Sequence, residues 1–257
     1  MWCGLSINTT LGECWGISGM MTTIIGCGDV GRAMKEFFPE AIVFDPAMSK
    51  TIPPDSVDVV HICIPYSDTF VDVVCGYIAR LRPSITIIHS TVKVGTTQAV
   101  EAHAGKECQI VYSPVMGKHP DLGGEMRVFC KFVSSSSYEG VLCAAEILSA
   151  RGIPVKTVLL KPAALELAKL LDTTYYGLCI AFHRYAAELC EKEEVPFDTI
   201  TDWTREYNRA SSLLGRAGYQ RPVLIPPGGA IGGHCVVPNA MLLAEQYGPH
   251  AILDLIW

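Results

Sequence analysis

Thr22-Thr-Ile-Ile-Gly26-Cys-Gly28-Asp29-Val30-Gly31 is the stretch whose reading decides the fold. A β-branched run leads into glycines spaced Gly-x-Gly-x-x-Gly, and the amphipathic segment Arg32 to Phe38 follows. A short β-branched run and an amphipathic segment on either side of a glycine cluster read as strand, tight turn and helix. Gly26 permits the turn, Gly28 lets a backbone come close to a pyrophosphate, and Gly31 lets the helix pack on the strand. The helix N-terminus at Asp29 and Val30 then faces the phosphates with free N–H groups.

Working outward, Ala41-Ile-Val-Phe-Asp45 is a second strand that ends in an acid. An acid there accepts hydrogen bonds from an adenosine ribose and repels the extra phosphate of NADP, so NAD is the expected cofactor. The apolar runs Val57 to Pro65, Ile85 to Ser90, Gln109 to Pro114 and Val128 to Val133 read as strands buried on both faces. Helical patterns at Thr69 to Arg82, Thr97 to Ala104 and Gly140 to Arg151 alternate with them, and Val155 to Leu160 is the last strand. Alternation of this kind predicts an α/β fold, a Rossmann-like, mostly parallel, doubly wound sheet. Ligands bind beyond the carboxyl ends of such strands, which puts Pro65, Ser90, Thr91 and Ser113-Pro114 on the cofactor or substrate side.

The second half changes character. Pro162 to about Lys192 reads as one long helix with Ala168, Leu171, Tyr175, Leu178, Phe182 and Leu189 in an apolar stripe. At 1.5 Å per residue it spans roughly 45 Å, enough to join two domains or to pair with a second subunit. Lys169 falls off that stripe, on a face with Asp172, Thr173 and Tyr176. A further helix, about Asp198 to Leu214, leads to the loop Pro226-Pro-Gly-Gly-Ala-Ile-Gly-Gly-His-Cys235-Val-Val-Pro-Asn239, and a last helix covers Asn239 to Tyr247. Glycines and prolines around one thiol suit a backbone that approaches a ligand closely, although a buried cysteine after a glycine turn would share the pattern. The expected organisation is an N-terminal extension at 1–20, an NAD-binding domain at 21–160, and a smaller all-α domain at 161–257 carrying the cysteine loop.

Composition restricts the function classes. With 257 residues and 49% hydrophobic content the chain can bury a sizeable core. A net charge of −6 leaves no basic surplus for nucleic acid or anionic membranes. The eleven cysteines include no Cys-x-x-Cys pair, so neither a metal site nor a disulfide scaffold is expected, and a reducing, cytoplasmic setting is. The first residues lack the basic start and long apolar run of a signal peptide or membrane span.

Six motifs in order, Gly26-x-Gly-x-x-Gly31, His61-Ile-Cys-Ile-Pro65, Ser90-Thr-Val-Lys-Val-Gly-Thr96, Glu166-Leu-Ala-Lys169, Ala187-Glu-Leu-Cys-Glu191 and Gly232-Gly-His-Cys235, make the chain resemble the UDP-glucose/GDP-mannose (nucleotide-sugar) 6-dehydrogenases. That resemblance covers about residues 22 to 245 and implies a truncated, divergent relative. It implies that Cys235 attacks a substrate aldehyde, that NAD takes hydride from the thiohemiacetal, and that the thioester is hydrolysed, with two NAD consumed per acid formed. Lys169 then stabilises the oxyanion or serves as general acid/base, and Thr91 positions water. A lysine beside a thiol suits this chemistry, because a cation favours thiolate and stabilises a developing alkoxide.

Four features depart from the family pattern. Val115 stands where a catalytic glutamate follows the Ser-Pro pair, Asn239 where an aspartate follows the cysteine, and Thr173 where an asparagine follows the lysine. No counterpart of the family's third, nucleotide-holding domain is expected within these 257 residues. The departures fall on thioester hydrolysis, for which His119, with Lys118, is a substitute proton carrier. A small sugar-like or anionic substrate, possession of NAD, and a homodimer through the long helix are the expectations. Two alternatives stay open: a two-electron β-hydroxyacid-type dehydrogenase using Lys169, and a noncatalytic NAD-binding module.

Overall fold

The computed structural model describes residues 19–48, 55–117, 121–158, 161–226, 231, 235–250 and 253–256. His119, Lys118, His234 and Gly232-Gly233 lie outside the described residues, as does most of the expected N-terminal extension. The chain divides after Glu166 into two compact units.

The first unit is built on five parallel strands: β1 (Thr22–Ile25), β2 (Ile42–Phe44), β3 (Val59–Ile62), β4 (Ile85–Ile88) and β5 (Gln109–Tyr112), in the order β2-β1-β3-β4-β5. Neighbouring residues on each strand face opposite cores. Ile24, Val59, Ile87 and Val111 pack with α1 (Asp29–Phe37) and α5 (Tyr138–Ser149) in one apolar cluster. Ile25, Val60, Ile62 and Ile88 pack with α2 (Phe70–Leu81) and α3 (Thr96–Ala104) in the other. Burial on both faces explains why these strands read as continuous apolar runs. The strand order reverses beside β1, the place where such sheets open a crevice at their carboxyl ends.

The last two predicted strands do not extend this sheet. Beyond the short α4 (Leu122–Glu125), β6 (Lys131–Val133) and β7 (Val155–Thr157) form a separate parallel pair joined through α5. The pair meets β5 at one antiparallel bridge, where Tyr112 and Ser134 exchange N–H···O bonds of 2.8 and 2.9 Å. Pro114 has no N–H to carry pairing further along β5.

The long helix α6 (Pro162–Lys192) begins on a proline, the residue that costs least at a first helical position. It ends where Glu194 takes a left-handed φ of 56° and Val195 N donates to the Cys190 carbonyl at 2.9 Å. Most of its length belongs to the second unit, with α7 (Phe197–Leu213) and α8 (Val236–Tyr247). Gly177 lets α8 seat on α6: a Cβ there would lie 2.5 Å from Val236 Cγ1. Val236-Val-Pro-Asn239 is therefore the first turn of α8 and not loop, because a proline in a first turn lacks only an N–H that has no helical partner.

Candidate functional site

Two close backbone approaches shape the glycine turn. Gly26 sits at φ 103°, and a Cβ on it would meet the Cys63 carbonyl oxygen at 2.4 Å, so β1 and β3 close around this residue only because it is glycine. A Cβ on Gly31 would fall 2.0 Å from the Gly26 carbonyl oxygen, which fixes how closely α1 approaches the turn. A Cβ on Gly28 would meet nothing within 4 Å, so the turn faces open space at this point. Gly28 is the N-cap of α1 and makes no side-chain cap bond, so first-turn N–H groups such as those of Val30 and Gly31 are available to an anion. Asp29 and Arg32 pair on the exposed side of the first turn.

Asp45 follows β2 and binds the turn back to it. Its Oδ2 accepts from Cys27 N at 2.9 Å and its Oδ1 from Ala47 N at 2.9 Å. Each carboxylate oxygen keeps a lone pair free for a ribose hydroxyl. These residues fit NAD: a glycine turn open at Gly28, an uncapped helix terminus, and an acid at the end of β2.

Pro65 is exposed three residues beyond β3, and Ser90, two beyond β4, is buried with its hydroxyl 3.5 Å from the Ile62 carbonyl. Thr91 is half-buried beside it. Val115 turns into the apolar core at 7% exposure, where a proton-carrying residue would have no water to exchange with.

Sequence reasoning gave Glu166 no role. It is fully buried, and its carboxylate accepts from Gly95 N (2.6 Å), Thr97 N (2.8 Å) and Thr97 Oγ1 (2.6 Å) at the N-terminus of α3. Burial raises its pKa, opposed by these bonds. This contact fixes the start of α6, three residues before Lys169. A glutamate inside an otherwise apolar helical turn was the available signal, since a buried carboxylate demands donors.

In the second unit, Cys235 is the N-cap of α8, and Asn239 N donates to its carbonyl at 3.2 Å. Asn239 is buried, and its Nδ2 donates to Thr173 Oγ1 at 2.9 Å; Thr173 in turn donates to the Lys169 carbonyl at 2.6 Å. Two of the departing positions thus meet as a neutral hydrogen-bonded pair. Lys169 is half-buried, not a free surface lysine: burial lowers its pKa, and the charges of Cys235 and Asp172 act in the opposite direction. Cys235, Lys169, Thr173 and Asn239 therefore lie together where α8 begins against α6. Burial pushes the Cys63 thiol up to about 12 and the Cys143 thiol up to about 11, which leaves these two without reactive thiolate near neutral pH. All nine cysteines among the described residues are free, and no cluster of metal-ligating side chains occurs among those residues.

Much of the α6 stripe is exposed. Leu171, Tyr175, Phe182 and Leu189 are 51, 60, 63 and 41% accessible, and Trp203 on α7 is 80%. A hollow of about 640 Å³ lies between α6 and α7, lined by Tyr175, Leu178, Phe182, Trp203 and Val223. No helix among the described residues is long and apolar enough to cross a membrane.

No protein-family model matches the chain, and no curated protein does. Solved structures share its fold. A UDP-D-ManNAc dehydrogenase from Pyrococcus horikoshii superposes with a TM-score of 0.72 at 14% identity, over 92% of this chain and 68% of that one. A UDP-glucose dehydrogenase from Pyrobaculum islandicum gives 0.69 at 16% identity, over 94% and 68%. The 3-hydroxyisobutyrate dehydrogenase of Mycobacterium tuberculosis gives 0.66 at 17% identity, over 91% of this chain and 90% of that one. The chain thus spans about two thirds of the sugar-nucleotide enzymes and most of the hydroxyacid enzyme.

Proposed function

We propose that the chain is an NAD-dependent oxidoreductase acting on an alcohol or aldehyde of a small sugar-like or anionic substrate, with Cys235 as nucleophile and Lys169 as its partner. The observation that carries this reading is the gathering of Cys235, Lys169, Thr173 and Asn239 at the start of α8, in a chain whose other unit has an open glycine turn closed by Asp45. Bound NAD supplies the hydride acceptor. Gly26, Gly28, Gly31 and the α1 terminus at Asp29 and Val30 hold its pyrophosphate, Asp45 its adenosine ribose, and Pro65 and Ser90 line its further path. Cys235 Sγ adds to a substrate carbonyl carbon, and Lys169 Nζ donates to the oxygen that becomes negative as the C–S bond forms. Thr91 orients water toward the acyl carbon. Asn239 orients without transferring a proton, because an amide has no titratable group; His119 is the proposed proton carrier.

A two-electron reading is favoured by Val115, whose burial in the core removes the family's proton-handling position, and by the likeness to 3-hydroxyisobutyrate dehydrogenase over nearly its whole length. There Lys169 takes the proton of the alcohol and Cys235 is a bystander. Screening sugar nucleotides and hydroxyacids for NADH formation, first with the natural chain and then with Cys235→Ser, separates the readings. Loss of turnover supports covalent chemistry, full turnover supports the two-electron route, and NAD binding without NADH formation in any assay leaves a noncatalytic module.

A homodimer through the exposed face of α6 and α7 is part of the proposal. Aromatic and aliphatic side chains that open to solvent on adjacent helices match the composition of an interface core. A monomeric mass by light scattering would remove it. Free cysteines and the absence of a basic surplus support a reducing, cytoplasmic setting.

A further inference from the structure

His61, His89 and Lys131 are polar residues in the first unit's core, at 0, 2 and 2% exposure. They form one chain of contacts. Lys131 Nζ donates to the Ser113 carbonyl, to Ser113 Oγ (3.2 Å) and to the Pro114 carbonyl (3.2 Å), and lies 2.9 Å from His89 Nδ1. His89 Nδ1 is also 2.8 Å from the Ser113 carbonyl. On the other side of the ring, His89 Nε2 lies 2.9 Å from His61 Nδ1, with the two rings stacked. The Ser113 carbonyl only accepts, so His89 Nδ1 donates to it and His89 Nε2 accepts from His61 Nδ1, while the three protons of Lys131 Nζ go to oxygens and its approach to His89 is a packing contact. His61 Nε2 is buried and has no hydrogen-bond partner among the described residues.

The placement of this chain is specific. His89 directly follows β4, Ser113 and Pro114 directly follow β5, and Lys131 opens β6. Past Tyr112 the main sheet takes one more bond, from Ser113 N to the Ile88 carbonyl at 2.9 Å, and the carbonyls of Ser113 and Pro114 turn to Lys131. A lysine ammonium has three donors and answers both. The segment it holds is the carboxyl-edge loop Ser113–Gly117, which continues through the buried Val115.

The sheet order indicates what that loop adjoins. The ribose-binding Asp45 ends β2 and the pyrophosphate turn follows β1, so a dinucleotide continuing in the same direction crosses β3 and β4 toward β5. Strands are about 4.8 Å apart, so β5 is about 10 Å beyond β3. We propose that Lys131, braced by His89 and His61, is a positioning residue that fixes the Ser113–Gly117 loop as the wall against which the nicotinamide half of the cofactor is set. The proposal rests on the NAD-dependent reading given above.

The test needs no substrate. ADP-ribose reaches only the glycine turn and Asp45, whereas NADH also carries the nicotinamide, so both are titrated against the natural chain, Lys131→Met and His89→Leu. NADH affinity should fall about tenfold in each variant, a loss of about 1.4 kcal/mol, while ADP-ribose affinity stays within about twofold. The blue-shifted emission of bound NADH should diminish as well. Unchanged NADH binding in a folded variant, or equal loss of both ligands, overturns the proposal. Because both variants alter a buried network, amide exchange at Val115, Met116 and Gly117 in the natural chain provides an arm that does not depend on their folding. NADH should slow it more than ADP-ribose, and equal protection overturns the role of the loop. If the natural chain binds neither ligand, the dehydrogenase reading itself falls; if it binds both and the variants match it, only the role of Lys131 does.

Discussion

Replacing Asp45 by alanine separates two jobs of one carboxylate. In the free protein it accepts from Cys27 N and Ala47 N, both at 2.9 Å, which binds the glycine turn to the end of β2. Hydrogen bonds to a charged acceptor are worth about 1.5–3 kcal/mol each, and at a half-exposed site about 1 kcal/mol is the better figure, giving about 2 kcal/mol for the pair. For a unit of this size that lowers the melting temperature by about 4–8 °C. Loosening of the turn weakens every dinucleotide alike, so absolute affinity does not isolate the second job; the ratio of NAD to NADP affinity does. On the proposed reading, Asp45→Ala removes an acceptor for the ribose hydroxyls and a charge that repels the additional phosphate. Together these should reduce NAD preference by about 2 kcal/mol, roughly thirtyfold. Calorimetric titration of both cofactors, with thermal unfolding alongside, measures the two effects. A lower melting temperature with unchanged NAD/NADP selectivity would refute the ribose assignment and leave Asp45 a turn residue only.

Gly31→Ala places a methyl 2.0 Å from a backbone oxygen that has no rotamer to yield, so urea unfolding should show a loss of about 3 kcal/mol and weaker NAD binding. Stability within experimental error of the natural chain would contradict that packing. Glu166→Leu leaves Gly95 N, Thr97 N and Thr97 Oγ1 without their acceptor and should cost about 3 kcal/mol or more, with faster amide exchange at Gly95 and Thr97; slow exchange at both would exclude the anchor. His61 is held neutral, its pKa lowered to about 3 by burial and by Lys131 and Arg151. The unfolded chain takes up this proton near pH 6.5, so the contribution is intact above that value and is lost as pH falls toward about 3. His61→Phe should therefore flatten the fall in stability below pH 6.5 by about 1.4 kcal/mol per pH unit, and identical slopes would rule out a buried neutral imidazole.

The parallel sheet was legible because its evidence is local. β1, the glycine turn and α1 are adjacent in sequence, and strands covered on both faces need apolar residues at every position, so their runs identify them. The bounds of α6 were legible for a similar reason: Pro162 starts it, and a periodic pattern leads to Glu194 and Pro196. The separate β6-β7 pair was not legible, because Lys131 to Val133 looks like any other buried strand and only its parallel register with Val155 to Thr157 decides its partner. His61 and His89 stood in plain view inside apolar runs, yet they meet each other across 28 positions, and His89 meets Lys131 across 42.

The cysteine loop divides in the same way. Sequence by itself determined that a thiol follows a glycine-rich turn and that Lys169 shares a helical face with Thr173, because spacing along one helix is fixed by its 3.6-residue period. Only tertiary structure decided that Cys235 caps α8, that Asn239 donates to Thr173, and that Val115 faces the core. Those outcomes depend on which surfaces exclude water together. Gly177 lets α8 close on α6 and brings residues 66 positions apart within 2.9 Å, a contact that no periodicity along the chain encodes.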